Sequence, residues 1–531
     1  MTNRIAPASP TMLPRVLLVT SEALPLAKTG GLGDAVSGLA RSLREAHVDA
    51  TILMPAYASA LHTASGLQEV ARLPGLVGGD ATVLAGWITE FEVPVLLLRN
   101  DALYLRPGNP YMDPEGREFE DNGVRFAALA QAAARISMGD TPIRVPHVVH
   151  AHDWHAGLTP LFLHAAGYKR PKTVLTIHNL AFQGNFPMSL ADLLDVPDVY
   201  KGVDGAEFWG QFNFLKAGIR YADSVTTVSE TYAREILTPR FGHGLEGLLQ
   251  TRAADLRAIP NGIDTEIWDP AVDPFLNEHF SPMDLRGKIR NKLELQDSFG
   301  LPTDPEAPLL VMGSRLTHQK MADLAVHAFP RVLDAHPRLQ VAVLGCGDKG
   351  FEEALAALAR RYPNRFGIHI GYDERRAHLL HAGADMLLHG SRFEPFGLTP
   401  IYSMLYGTVP IASRLGGLAD TIVDAEAGGT GILFDGDTAD DMVAAIERAL
   451  GLFAQPQQWQ AMQKNGMTTN FGWEPSAAKY IELYRALAPV APVGAPMVAP
   501  RPAAPDVAVA DTGAAGKAPA LIDTHTKRKR A

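Results

Sequence analysis

Residues 15–20 read Arg-Val-Leu-Leu-Val-Thr, and a few residues on, positions 28–34 read Lys-Thr-Gly-Gly-Leu-Gly-Asp. The first run is short, apolar and continuous, the pattern of a strand buried on both faces. The second opens a helix that carries Leu32, Val36, Leu39 and Leu43 on one face. Strand, glycine-rich turn and helix together are the opening of a βαβ unit. Further apolar runs at residues 50–54, 145–150, 174–178 and 224–228 alternate with helical patterns. That alternation predicts a parallel sheet covered by helices on both faces.

The pattern then restarts. Strands are predicted at residues 309–313, 341–345, 368–371, 385–389 and 409–412, with helices at 323–333 and 351–359. The join falls near residues 261–270 (NGIDTEIWDP), which are rich in turn formers. The fold class expected is therefore α/β, with two Rossmann-like doubly wound domains facing a deep cleft. The expected divisions are a flexible start at 1–14, a first domain at 15–264 and a second at 265–472. A last helix at 473–488 and a tail at 489–531 follow. The tail is dominated by Ala, Pro, Gly and Val and reads as disordered. Its final Lys527-Arg528-Lys529-Arg530 reads as solvated charge.

With 531 residues the chain is too long for one ordinary core. The net charge of −10 argues against nucleic acid as a partner, because phosphate backbones need a basic face. The single cysteine, Cys346, excludes an intrachain disulfide and a cysteine metal cluster. No run of about 18 apolar residues suggests a membrane span, and the start lacks the apolar stretch of a signal peptide. A cytoplasmic protein is expected.

In open α/β sheets ligands sit beyond the carboxyl ends of the strands. Four groups of candidates lie there. Lys28 to Asp34 joins a point charge to glycines, and the helix start behind them offers free N–H groups to an anion. The loop is neither a Walker A nor a GxGxxG motif. His150-Ala151-His152-Asp153-Trp154-His155 ends another strand. Its histidines invite a metal, but neighbours at a strand end point to opposite faces and the HExxH spacing is absent. A polar wall that hydrogen-bonds sugar hydroxyls is the reading preferred. Thr176 to Asn179 ends a third strand and supplies His178. In the second half, Ser314 to Lys320 carries Arg315 and Lys320, and Ser391 to Thr399 carries Glu394 before a helix whose first amides belong to Gly397, Leu398 and Thr399. Cations, helix starts and hydroxyl-binding groups in one cleft point to a nucleotide-sugar transferase.

The same blocks resemble those of bacterial and plant-plastid glycogen/starch synthases. KTGGLGD, HAHDWHAGL, TIHNLAFQG, LKAGIRYAD, TVSETYAREI, NGIDTEIWDP, SRLTHQK, SRFEPFGLTP and GGLADTI occur in family order over residues 15–487. The resemblance implies the GT-B architecture and retaining transfer of glucose from ADP-glucose, or UDP-glucose, to the non-reducing 4-hydroxyl of an α-1,4-glucan. It assigns Lys28, Gly30 and Gly31 to the donor-binding motif, and Arg315 and Lys320 to the departing diphosphate. Glu394, backed by the amides of Gly397, Leu398 and Thr399, would hold the transferred sugar. Asp153 and His178 would face the reacting glucose, Tyr372 the nucleotide base, and Asn261 and Tyr111 the sugar and acceptor. No metal and no cofactor is implied. Another GT-B transferase, or a silent glucan-binding paralogue, is the alternative. Two departures stand out. Phe396 replaces the family's common cysteine and is expected to reshape the sugar pocket or its edge. Met321 replaces a glycine and is expected to set the loop beside Lys320 differently, since a side chain opposes positive φ.

Overall fold

The computed structural model describes residues 13–489. The flexible start, except for residues 13 and 14, and the tail from residue 490 lie outside the described residues. In chain order the first twelve strands are β1 (Arg15–Val19), β2 (Asp49–Pro55), β3 (Ser65–Leu73), β4 (Ala81–Ile88), β5 (Val93–Arg99), β6 (Val148–His152), β7 (Lys172–Ile177), β8 (Asn185–Pro187), β9 (Glu207–Phe208), β10 (Gln211–Asn213), β11 (Ser224–Thr227) and β12 (Leu256–Ala258). Nine of them form one sheet in the order β12-β11-β7-β6-β1-β2-β5-β4-β3, while β8, β10 and β9 form a small antiparallel sheet.

Six more strands follow: β13 (Leu309–Gly313), β14 (Gln340–Gly345), β15 (Phe366–Ile370), β16 (Met386–His389), β17 (Val409–Ser413) and β18 (Ile432–Phe434). They form a second sheet, wholly parallel, in the order β15-β14-β13-β16-β17-β18. The order reverses between β13 and β16, which is the topological switch point of a Rossmann sheet.

The first sheet departs from the expected parallel pattern at one edge. β4 runs antiparallel to both β3 and β5. β3 carries one exposed or half-exposed face with polar Gln68, Glu69 and Arg72, so it never showed the apolar run of a central strand. β6 also starts at Val148 rather than at residue 145. Pro146 has no N–H for the ladder, and the Arg15 guanidinium takes the Val145 carbonyl instead.

The helix Gly31–Glu45 buries Leu32, Val36, Leu39 and Leu43 against the first sheet, each worth roughly 1.5–3 kcal/mol. The last helix, Glu474–Leu487, starts with Pro475 in its first turn and buries Ala477, Tyr480, Leu483 and Tyr484. Those side chains belong to the core of the first sheet, not of the second. Trp473 reaches the same core by lying over Gly38, where a Cβ would stand 2.0 Å from the indole nitrogen. The chain thus ends its described part on the sheet where it began. Arg41 ties the crossing segment down through Asp264 at 3.1 Å and Glu266 at 2.7 Å.

Candidate active site

The glycine-rich start of the helix Gly31–Glu45 meets its counterpart in the second sheet. A Cβ on Gly31 would lie 2.9 Å from the Leu398 side chain. Leu398 begins the helix Leu398–Leu405, and Gly397 precedes it at φ 91, a conformation glycine adopts freely. Neither helix has a side-chain cap, so the leading amides of both are open to a ligand. Lys28 stands at the first helix start, paired with Asp34 at 3.0 Å. A pocket of about 300 Å³ takes in Lys28, Tyr372, Glu374, Leu398 and Tyr402. Tyr372 follows Gly371 (φ 135) and is 73% exposed.

Glu394 lies one turn before this helix start. Its carboxylate accepts from Lys320 and from Ser391 Oγ at 3.0 Å, and His389 Nε2 stands 3.2 Å away. Burial pushes the Glu394 carboxyl up, but the Lys320 ammonium and the His389 hydrogen bond outweigh it and hold the group well below the usual carboxylate range. The pair is therefore a fixed dipole of full charges. The loop that carries Lys320 is held by Arg392, which bridges to Asp323 with two bonds of 2.9 Å and to the His318 carbonyl. Arg315 is exposed, and its guanidinium donates to Gln319 Oε1 at 3.1 Å.

The opposite wall is built from the ends of β6 and β7. Asp153 sits at φ 54, and its Oδ1 accepts the N–H groups of His178 (2.7 Å) and Asn179 (3.3 Å). Burial raises its carboxyl to about 7 despite those donors. His178 is half-buried, and its Nε2 meets His152 Nδ1 at 3.0 Å. Burial lowers the His178 imidazole to about 3, so it is neutral. His150 faces away from the cleft: its two nitrogens bond Tyr484 (2.7 Å) and Thr176 (2.6 Å). Within the segment read from the sequence as a polar wall, His150 is thus a satisfied core residue. His150 and His152 are two residues apart and so share one face of β6, and both are almost wholly buried there, their rings 4.1 Å apart.

Several groups escaped the sequence reading. Glu22, in the loop after β1, accepts from the amides of Thr29 (2.5 Å) and Gly30 (3.2 Å) and from the Tyr111 hydroxyl, and so shapes the KTGG turn. Tyr111 in turn stacks on His155, with centroids 4.8 Å apart. His389 and Ser391 sit at the end of β16, where an ordinary strand-end search would have found them. Tyr232, inside the TVSETYAREI block but not singled out there, accepts the Leu180 amide, and burial above all pushes its phenol up. Asn261 is half-buried.

The two departures take different forms from those expected. Phe396 is 6% exposed and packs in the second sheet's core with Ile401 and Leu418. Met321 keeps a left-handed conformation (φ 53, ψ 31) although it is not glycine. Its side chain is buried, with the sulfur 3.8 Å from Ser413 Oγ, and that burial offsets a backbone cost of roughly 1–2 kcal/mol. The turn just after Lys320 thus retains the φ of a glycine.

Among the described residues, no group of three or more His, Cys, Asp and Glu is placed to hold a metal ion. No helix there is long and apolar enough to cross a membrane.

Two Rossmann-type sheets that share a cleft, with a buried cation–carboxylate pair beside an uncapped helix start, define a glycosyltransferase of the GT-B class. Residues 15–251 match the family model described as the starch synthase catalytic domain, and residues 294–466 match that of glycosyl transferases group 1. The chain is 56% identical over 477 residues to the glycogen synthase of Bordetella petrii, covering 88% of this chain and 91% of that one. It is 53% identical over 481 residues to the glycogen synthase of Ralstonia nicotianae, covering 89% and 88%. The catalytic domain of starch synthase IV from Arabidopsis thaliana, solved bound to ADP and acarbose, superposes with a TM-score of 0.81 at 28% identity, over 90% of this chain and 100% of that one. The chain belongs to the glycogen synthase family and is a hexosyltransferase.

Proposed function

We propose that the protein elongates glycogen by moving glucose from ADP-glucose to the non-reducing 4-hydroxyl of an α-1,4-glucan, with retention at the anomeric carbon. The observation that carries this reading is the ionised Lys320–Glu394 pair beside the uncapped helix start at Gly397. A nucleotide diphosphate leaves readily once its charge is stabilised in advance. Lys320, Arg315 and Lys28 supply cations, and the amides of Gly397, Leu398 and Thr399 supply aligned donors. Glu394 holds hydroxyls of the transferred glucose, which keeps the sugar against those donors. Gly30 and Gly31 let the donor approach the backbone. Tyr372 lies against the base, and Asn261 near the sugar. Asp153 and His178 face the reacting glucose from the other wall.

Glu394 is committed to Lys320 and is not free to act as a nucleophile. The C1–O bond of the donor breaks first, giving an oxocarbenium-like sugar beside the departing diphosphate. The acceptor 4-hydroxyl attacks the same face and passes its proton to a phosphate oxygen. The Asp153 carboxyl, raised to about 7, favours the positive sugar once pH exceeds that value and it is ionised. No metal or cofactor is needed for this sequence. A reducing, cytoplasmic setting accords with the lone Cys346. The donor preference for ADP over UDP follows the starch synthase relative, which was solved with ADP.

Incubation with glycogen and either ADP-glucose or UDP-glucose, with nucleotide release and glucan extension both measured, tests the reading. Extension with ADP-glucose well above UDP-glucose is expected. A UDP-glucose preference moves the error to the nucleotide pocket. Glycogen binding without extension from either donor replaces this reading with that of a silent paralogue.

A further inference from the structure

β9 and β10 are joined by two residues, Trp209 and Gly210, with φ of 52 and 78. Two positive φ values in a two-residue hairpin are the pattern of a type I′ turn, for which Asn-Gly is the preferred sequence. A tryptophan is among the least suited residues to the first of those positions. Its ring gains little from burial in return, since Trp209 is 85% exposed. A large aromatic side chain held in an unfavourable backbone conformation and left in solvent points to a use outside the fold.

Its surroundings say where that use lies. The indole nitrogen is 3.6 Å from the Cβ position of Gly244. The neighbouring His243 gives its carbonyl to Gln183 and sets its ring edge-on to Phe393, the residue before Glu394, with centroids 5.7 Å apart. Gln183 also accepts from Asn213 at the end of β10. Phe182, 52% exposed, lies four residues after His178 on the same loop. Through His243 and the buried Gln183–Asn213 pair, the exposed indole of Trp209 and the exposed Phe182 loop are thus tied to the segment that carries Glu394.

The geometry points to an acceptor-chain platform centred on Trp209, where sugar units of an α-glucan remote from the reacting end stack on the indole. A glucose ring offers an apolar C–H face with hydroxyls around its rim, which suits a flat exposed ring whose edge lies in water. This inference rests on the proposed glucan acceptor and adds a site outside the reacting subsites. It requires long acceptors to depend on Trp209 and short ones not to.

Trp209→Asn separates binding from folding, because it installs the favoured Asn-Gly turn. The expected result is a Tm equal to or above that of the wild type. KM for maltoheptaose rises about three- to tenfold, with KM for maltotriose and for ADP-glucose unchanged. Migration in glycogen-containing native gels, which needs no turnover, is expected to speed up by the loss of retardation. Unchanged KM for maltoheptaose, or an equal rise for maltotriose, overturns the platform. A fall in Tm that accompanies loss of every activity assigns Trp209 to the fold instead. A change in sedimentation without change in gel retardation assigns it to contact between copies of the chain. If the wild type extends no glucan at all, the functional reading fails, while the gel comparison still decides the platform.

Discussion

On the wall built from β6 and β7, buried Asp153 and the histidines are held neutral or near the point of ionising; on the wall built from β13 and β16, buried Glu394 is held charged. His150 and His178 are lowered to about 3 by burial, and Asp153 is raised to about 7. Glu394, equally enclosed, is driven the other way by Lys320. The difference lies in partners. His150 bonds only to hydroxyls, and Asp153 to backbone amides, so desolvation wins. Glu394 has a cation in direct contact, so Coulomb attraction wins. A leaving diphosphate needs fixed charge, and a developing sugar cation needs a carboxylate that does not already belong to a lysine. In the proposed reaction, Glu394 with Lys320 on one wall serves the first need and Asp153 on the other serves the second.

The contrast breaks most visibly at Lys320. Lys320→Ala should lower kcat on the order of 10²–10³-fold, the usual cost of one preorganised charge donor. It also leaves Glu394 buried without its cation, so the carboxyl should rise and stability should fall. Glycogen affinity should survive, and native gels containing glycogen check this. Equal loss of turnover and of glycogen binding would remove Lys320 from the donor side.

Asp153 tests the neutral wall through pH. Its folded pKa of about 7 exceeds the unfolded value of 3.8, so the folded state binds the proton more tightly. Its contribution to stability is therefore full below pH 3.8 and is lost as pH rises to about 7, a change on the order of a few kcal/mol. Asp153→Asn should accordingly be more stable than the wild type above pH 7 and no different near pH 4, by denaturant titration. Its kcat should fall about tenfold to a hundredfold. The rise of kcat through pH 7 in the wild type should flatten. His150 works in the opposite sense. Its folded value lies below the unfolded 6.5, so its contribution is present above pH 6.5 and is lost as pH falls towards 3.

Tyr484→Phe probes the support behind that wall. It removes the hydroxyl that bonds His150 Nδ1 in the core, and should cost about 1–3 kcal/mol while leaving donor KM unchanged. Thermal unfolding and donor kinetics check both halves. A matching fall in kcat would extend the role of the last helix into the site.

The sequence carried the strands that frame the cleft because each is a continuous apolar run before a turn. It carried Lys28, Lys320 and Glu394 because they sit in those turns. It did not carry β3 and β4, whose alternation is half-exposed and whose pairing is antiparallel at an edge. It also did not carry the electrostatic contrast. His150 and His178 are alike as letters, and only the fold shows that one bonds Tyr484 from the last helix and the other meets His152. Tyr232 is likewise an ordinary helical residue until its buried hydroxyl takes the Leu180 amide from the loop after β7. Pairings across hundreds of residues leave no local pattern to read.

Met321 gives the smallest effect and the sharpest check on the charged wall. The backbone there holds φ 53, which glycine would take at no steric cost. Met321→Gly therefore relieves roughly 1–2 kcal/mol of strain. It also deletes a fully buried side chain that fills the space beside Gly390 and Ser413, a loss of about 2–5 kcal/mol for comparable truncations. The packing term is the larger, so net destabilisation of about 1–3 kcal/mol is expected by denaturant titration. Because the loop already has the conformation of a glycine, Lys320 should keep its place, and kcat should stay within about twofold of the wild type. A stabilised Met321→Gly would mean that strain outweighs packing at this turn. A large fall in kcat would mean that the Met321 side chain, and not only the φ it tolerates, holds the lysine against Glu394.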